Sequence, residues 1–147
     1  MLDIDINKLL KKGRNSKSRI YKKIINWFIR HYFSCDIKCN SKISDTVYFA
    51  HNGLGTVINE DCIIESGCVI QHHVTIGRKR LKDKKVPYLH KNVYVGTGAI
   101  ILGEIEIGEN AIIGAGVLVD YNVKSGEKII FNKRFLDKED TQNIKDD

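Results

Sequence analysis

NVYVGTGAIILGEIEIGENAIIGAGVLV, residues 92–119, repeats its pattern every six positions. Val95, Ile101, Ile107, Ile113 and Val119 form one series, and Val93, Ala99, Ile105, Ala111 and Val117 form a second, two positions earlier. The same phases run upstream through Ile58, Ile64, Ile70 and Ile76, with Thr56, Cys62, Cys68 and Val74 in the small-residue positions. Glycine follows the repeat aliphatic at Gly77, Gly96, Gly108 and Gly114, where it suits a turn. A period of six is neither the 3.6 of a helix nor the plain alternation of an isolated strand. It requires a chain that turns a corner at every repeat. Three corners close a triangular coil of about 18 residues, whose parallel strands stack about 4.8 Å apart with the aliphatics on the axis. The spacing predicts an all-β solenoid over residues from about 41 to 130. So short a solenoid also predicts association of subunits, because repeat folds need neighbours and capped ends to bury a continuous core.

The phase breaks once. Ile76 and Val95 stand one position too far apart for three hexads, so GRKRLKDKKVPYLHKN (77–92), which holds the only proline, is expected to leave the coil as a basic loop. Upstream, RIYKKIINWFIRHYF (19–33) has a broadly helical apolar period and is read as a helix capping the open end of the solenoid, in preference to contact with a membrane surface. The chain therefore divides into a tail and capping helix (1–34), a solenoid domain (35–131) with loop 77–92, and a polar C-terminal tail (132–147). Residues 1–15 and 137–147 are expected to lack fixed structure.

The chain has 147 residues, 42% hydrophobic and 29% charged, which suits one globular domain. No apolar run approaches the roughly 18 residues that span a bilayer. The start, MLDIDINKLLKK, mixes acids into what would be the basic region of a signal peptide, so a cytoplasmic protein is expected. Cys35, Cys39, Cys62 and Cys68 lack the spacing of a zinc or redox motif; packing explains them, and no metal is expected. The net charge of +6 gathers in residues 1–30, with nine Lys/Arg against two Asp, and in residues 78–91, with seven against one. Without interleaved aromatics in the loop or a recognisable nucleic-acid module, a small phosphorylated ligand is the expected partner rather than nucleic acid.

The segment richest in chemistry is YFAHNGLGTVINE (48–60), where His51 precedes a glycine-rich corner just before the first clean hexad. Asp36 precedes His51 by the same offset as Ile43 precedes Ile58, which suggests a short first coil with carboxylate and imidazole vertically adjacent. Such a carboxylate would hold one ring nitrogen and leave the other to take a hydroxyl proton. His72 and His73 are adjacent and, in a strand, would face opposite sides.

At this point the chain resembles the serine acetyltransferase branch of the hexapeptide-repeat acyltransferases. The resemblance spans residues 35–125 and rests on CDIKCNSKIS (35–44), HNGLGTVINE (51–60), CVIQHHVTIG (68–77) and residues 92–119. It implies a left-handed parallel β-helix, a homotrimer with sites between subunits, and acetyl-coenzyme A as donor. It also implies His51 as general base oriented by Asp36, with direct attack of a substrate hydroxyl on the thioester. Thr97, Gly98 and Ala99, then Gly114, Ala115 and Gly116, match positions where small residues let the pantetheine arm approach, and Lys79 and Arg80 are candidates for the coenzyme phosphates.

Three departures narrow the acceptor and donor sites. Ala50 stands where the serine-forming enzymes carry aspartate before the base, and Lys85 and Val86 stand where they carry arginine and histidine before the loop proline. FNKR (131–134) replaces the usual glycine-asparagine-proline-alanine turn. These changes favour a sugar or glycan-precursor hydroxyl as acceptor, with serine O-acetylation as the alternative. A non-catalytic repeat scaffold is the reading from another class, opposed by the presence of both Asp36 and His51.

Overall fold

The computed structural model describes residues 4–131. Among these residues two helices, α1 (Ile6–Asn15) and α2 (Arg19–Tyr32), precede thirteen short strands, nearly all of two residues. Every strand pair is parallel, and the strands form three sheets that are the faces of a prism. One face stacks β1 (Lys42–Ile43), β4 (Ile63–Ile64), β7 (Tyr88–Leu89) and β10 (Glu106–Ile107). The next stacks β2 (Tyr48–Phe49), β5 (Val69–Ile70), β8 (Tyr94–Val95), β11 (Ile112–Ile113) and β13 (Lys128–Ile129). The third stacks β3 (Val57–Ile58), β6 (Thr75–Gly77), β9 (Ile100–Leu102) and β12 (Leu118–Val119). The whole is a left-handed β-helix of about four turns.

The hexad aliphatics point inward as expected: all nine from Ile58 to Val119 are at most 2% exposed. They stack in register, Ile58 on Ile76 on Ile101 on Val119. The small-residue phase is buried too, and Thr56, Cys62, Cys68, Val74, Val93, Ala99 and Ala111 are fully enclosed. The glycines after the aliphatics have a different reason from the one expected. Gly96 and Gly108 do not adopt positive φ; a Cβ on either would lie 2.6 and 2.4 Å from a backbone nitrogen of the next coil, of Ala115 and Ser125 respectively. The positive-φ glycines are others, at the corners.

Three expectations are corrected. The excursion from the coil is shorter at its far end than 77–92, because Tyr88 and Leu89 already pair with Ile63 and Ile64 and Leu89 is fully buried. Ile76 is level with Ile101, so the coil between them is a full one enlarged by an insertion of more than a hexad, and Val95 occupies a different face from Ile76. The first coil is long rather than short: Ile43 is level with Ile64 and Phe49 with Ile70, each more than three hexads on. Finally, residues 1–15 contain an ordered helix. Asp5 caps α1 by accepting from Lys8 N at 3.1 Å, and Ile6 and Leu10 are buried against the coil.

The expected helix over 19–33 is α2, capped by Ser18, whose hydroxyl accepts from Tyr21 N at 3.2 Å. Ile25 and Ile29 turn inward and extend the solenoid core without a break. Asn26 Oδ1 accepts the Cys39 N–H at 2.8 Å, which satisfies a backbone donor at the open end of the coil. The expected tail, 132–147, and most of FNKR lie outside the described residues.

Candidate active site

After β2 the chain makes a tight turn, Ala50–Gly53, that lengthens the first coil. His51, Asn52 and Gly53 adopt φ of 52°, 54° and 76° in succession. A non-glycine residue in this region costs of order 1–2 kcal/mol, so surrounding contacts must hold the turn. Leu54 N donates to His51 O at 3.3 Å and Thr56 N to Gly53 O at 2.9 Å. Asn52 Oδ1 accepts the Ile6 N–H of α1 at 3.1 Å. Gly53 packs against Ile6 and Ile37, where a Cβ would meet their methyls at 3.4 and 3.3 Å. The first helix thus pins the turn, and the turn leaves the His51 side chain exposed. A cleft of about 220 Å³ beside it is lined by Asp5, Asn7, Tyr48 and Asn52 among others.

Three imidazoles meet here. The His51 and His72 rings lie 5.1 Å apart, edge to face at 84°, and His72 and His73 lie 5.4 Å apart at 70°. Both of the latter belong to one coil corner rather than a strand, so they share an edge of the prism. His73 has φ 58°, and its ring lies over Gly55, where a Cβ would come within 2.0 Å of Nδ1. Nδ1 of His72 is buried without a hydrogen-bond partner among the described residues. The signal for His72 was its offset: it stands as far beyond His51 as Ile70 stands beyond Phe49, which is the true length of that coil.

Asp36 is not the vertical neighbour of His51. It bridges to Val57 in the ladder, with Ile58 N donating to Asp36 O at 3.0 Å. Its carboxylate is held by Arg30 at 3.0 Å and Lys38 at 2.9 Å, and it makes no hydrogen bond to His51. The offset between them misleads because the Ala50–Gly53 turn lengthens the coil and moves the vertical neighbour to Val57.

The small-residue corners do share the histidine edge. His73 N donates to Leu54 O, Gly98 N to His72 O and Gly116 N to Thr97 O, at 2.8, 3.1 and 2.8 Å. Gly98 and Gly116 have φ of 68° and 67°, and among the described residues nothing lies within 4 Å of where a Cβ on either would stand. Ala115 beside Gly116 is exposed, and Thr97 and Gly114 are half-buried. Ala99 departs from this group: it is fully buried and belongs to the core. Lys79 and Arg80 leave the coil at the opposite border of the same face. Lys79 pairs with Asp120 at 2.7 Å, which holds that carboxyl below its ordinary value, and Arg80 N donates to Asp83. Within one chain they therefore do not line the histidine edge. His90 is on another face, between Glu65 and Glu106.

The fold and the stacked corners define a class. Residues 87–120 match the family described as bacterial transferase hexapeptide (six repeats), and the chain is a hexapeptide-repeat β-helix. Its likeness within that class is to serine acetyltransferases. Over 100 residues it is 41% identical to a putative serine acetyltransferase of Schizosaccharomyces pombe, a match covering 67% of this chain and 36% of that protein. A soybean serine acetyltransferase complexed with serine superimposes with a TM-score of 0.73 at 29% identity, covering 87% of this chain and 52% of that one. A serine acetyltransferase in complex with CoA gives 0.64 at 29% identity, covering 87% and 50%. The chain spans between about a third and a half of the length of the curated relatives it matches.

Proposed function

We propose that this chain is an acetyl-coenzyme A-dependent O-acetyltransferase in which His51 is the general base. The observation that carries the reading is an exposed imidazole on a strained turn, set on the same prism edge as the open glycine corners. Strain of this kind collects at sites where a side chain must be presented in one orientation. His51 takes the proton of the acceptor hydroxyl as its oxygen attacks the thioester carbonyl. The tetrahedral intermediate expels the coenzyme thiolate, and the imidazolium returns the proton to sulfur, leaving an O-acetyl ester and the free thiol. General base catalysis of this sort contributes about 10² to 10⁴ in rate. Thr97–Gly98 and Ala115–Gly116 offer the pantetheine arm a path along the edge without Cβ obstruction at either glycine. A relative solved with CoA supports this choice of donor.

L-Serine is the acceptor favoured by kinship, since a relative superimposing at a TM-score of 0.73 is complexed with it. A sugar or glycan-precursor hydroxyl is the second reading. It is favoured by the absence of a free charge at both clamp positions: Ala50 is buried, Val86 packs on the core, and Lys85 is paired with Glu104. A site built for a zwitterion loses orders of magnitude when its charged partners are missing. The deciding experiment is thiol release from acetyl-coenzyme A with L-serine, nucleotide sugars and simple glycans side by side. Serine turning over fastest removes the sugar reading, the reverse removes serine, and no release with any acceptor removes the enzyme.

In this reading the protein is a cytoplasmic homotrimer. The face carrying β3, β6, β9 and β12 turns Val57, Ile100 and Leu118 outward, 46%, 38% and 58% exposed, with half-buried Thr75 between the first two. An apolar ridge of this kind suits burial against a neighbouring subunit. Sedimentation equilibrium giving a stable monomer at micromolar concentration would remove the trimer.

A further inference from the structure

Capping uses one side of α2 and leaves the other bare. At 100° per residue, the side opposite buried Ile25 and Ile29 carries Ile20, Ile24, Trp27 and His31. Ile20, Ile24 and Trp27 are 73%, 56% and 62% exposed. Arg19 and Lys23 border this stripe on one flank, and neither forms an ion pair among the described residues; exposed Tyr21 and Tyr32 border it on the other. The aromatic rings are already ordered: Trp27 stacks on His31 at 4.5 Å and Phe28 on Tyr32 at 5.0 Å.

Charge decides between the occupants such a stripe would take. Residues 1–30 carry a net +7 while the whole chain carries +6. Lys11 and Arg14 pair with Asp45 and Arg30 with Asp36, but the remaining excess is still positive, so a second copy docked through this end would bring two positive surfaces together. α2 has 14 residues, and no helix among the described residues is long and apolar enough to cross a membrane. A helix of this length, apolar along one stripe, cationic on its flank and bearing Trp and Tyr, has the make-up of one lying in the plane of a lipid headgroup layer. There the apolar side chains enter the acyl boundary while lysine and arginine meet anionic headgroups.

We propose that α2 docks this chain on an anionic phospholipid surface, with Ile20, Ile24 and Trp27 facing the lipid. The proposal extends beyond acetyl transfer and is read without it. Trp27 is the only tryptophan of the chain, so its emission reports the stripe directly.

The full chain is mixed with vesicles of phosphatidylglycerol and phosphatidylcholine, or of phosphatidylcholine alone. On the anionic vesicles Trp27 emission should shift to the blue, brominated acyl chains should quench it, and the protein should float with the lipid; phosphatidylcholine alone should do none of these. Ile24→Asp should abolish all three signals, and Arg19→Ala and Lys23→Ala should each weaken partitioning about fivefold. All three positions are exposed, so melting should stay at the parent value and separate lost docking from lost folding. Absence of a shift with anionic vesicles, or binding that Ile24→Asp leaves intact, overturns the proposal. So does Trp27 emission that is already blue-shifted without lipid and moves to the red on dilution, which assigns the stripe to a second copy.

Discussion

Leu89→Ala tests the register of the solenoid at the point where the repeat is hardest to follow. Leu89 is fully buried and stacks between Ile64 and Ile107 on the first face. Truncation removes three carbons, worth about 0.8 kcal/mol each in transfer free energy. The coils above and below are fixed by parallel ladders and cannot collapse far into the gap, so a cavity penalty adds to the loss and the total should be about 3–4 kcal/mol. For a chain of this length each kcal/mol moves the melting temperature by about 2–4 °C, so a drop of roughly 10 °C is expected. Leu81→Ala is the control: Leu81 lies in the excursion proper at 99% exposure and should change stability by less than about 0.5 kcal/mol. Thermal and denaturant unfolding followed by circular dichroism, at one protein concentration, reads both variants. If the two melt alike, Leu89 is a loop residue and the insertion is wrongly bounded.

His51→Ala should lower acetyl transfer by about 10² or more while leaving melting within a degree or two of the parent, since the side chain is exposed. Asp36→Asn should leave a measurable remnant of activity, because its carboxylate is held by Arg30 and Lys38 and makes no hydrogen bond to His51; a loss equal to that of His51→Ala would show that substrate binding reorganises those pairs. The four cysteines should resist Ellman's reagent until the chain unfolds. Burial pushes the Cys35 and Cys62 thiols up to about 12, so at pH 8 only about 10⁻⁴ of each is the reactive thiolate. Prompt labelling of all four under native conditions would contradict the packing described.

The sequence makes the solenoid legible wherever the period is unbroken, because an inward aliphatic at every sixth position has no other economical structure. Legibility fails at two insertions. Neither the step from Phe49 to Ile58 nor that from Ile76 to Leu89 is a multiple of six, so Phe49 and Leu89 fall outside the counted series although both are core residues. The same failure hides the true level of Asp36, which is that of Val57. Its offset from His51 reads as one short coil only if the Ala50–Gly53 turn is counted as part of a hexad. His51 is legible through its glycine-rich surroundings, but the company of His72 and His73 is not, since adjacency argues for opposite sides only in an extended strand. α1 is hard to read because Lys and Asn fill most of its exposed face, leaving Ile6, Leu9 and Leu10 as its apolar signal.

The excursion after Ile76 rejoins the prism in phase, with Tyr88 and Leu89 landing squarely on Ile63 and Ile64. Its length is therefore decoupled from everything inside. Residues can be added to, removed from or exchanged within this segment without rotating a single inward side chain to another face, a freedom that a globular core with interlocked elements rarely grants. The segment is in effect a socket: grafting the corresponding loop of another hexapeptide-repeat protein between Gly77 and Tyr88 would change the surface the molecule presents while the scaffold stays as it is. Divergence of that surface needs no redesign of the interior.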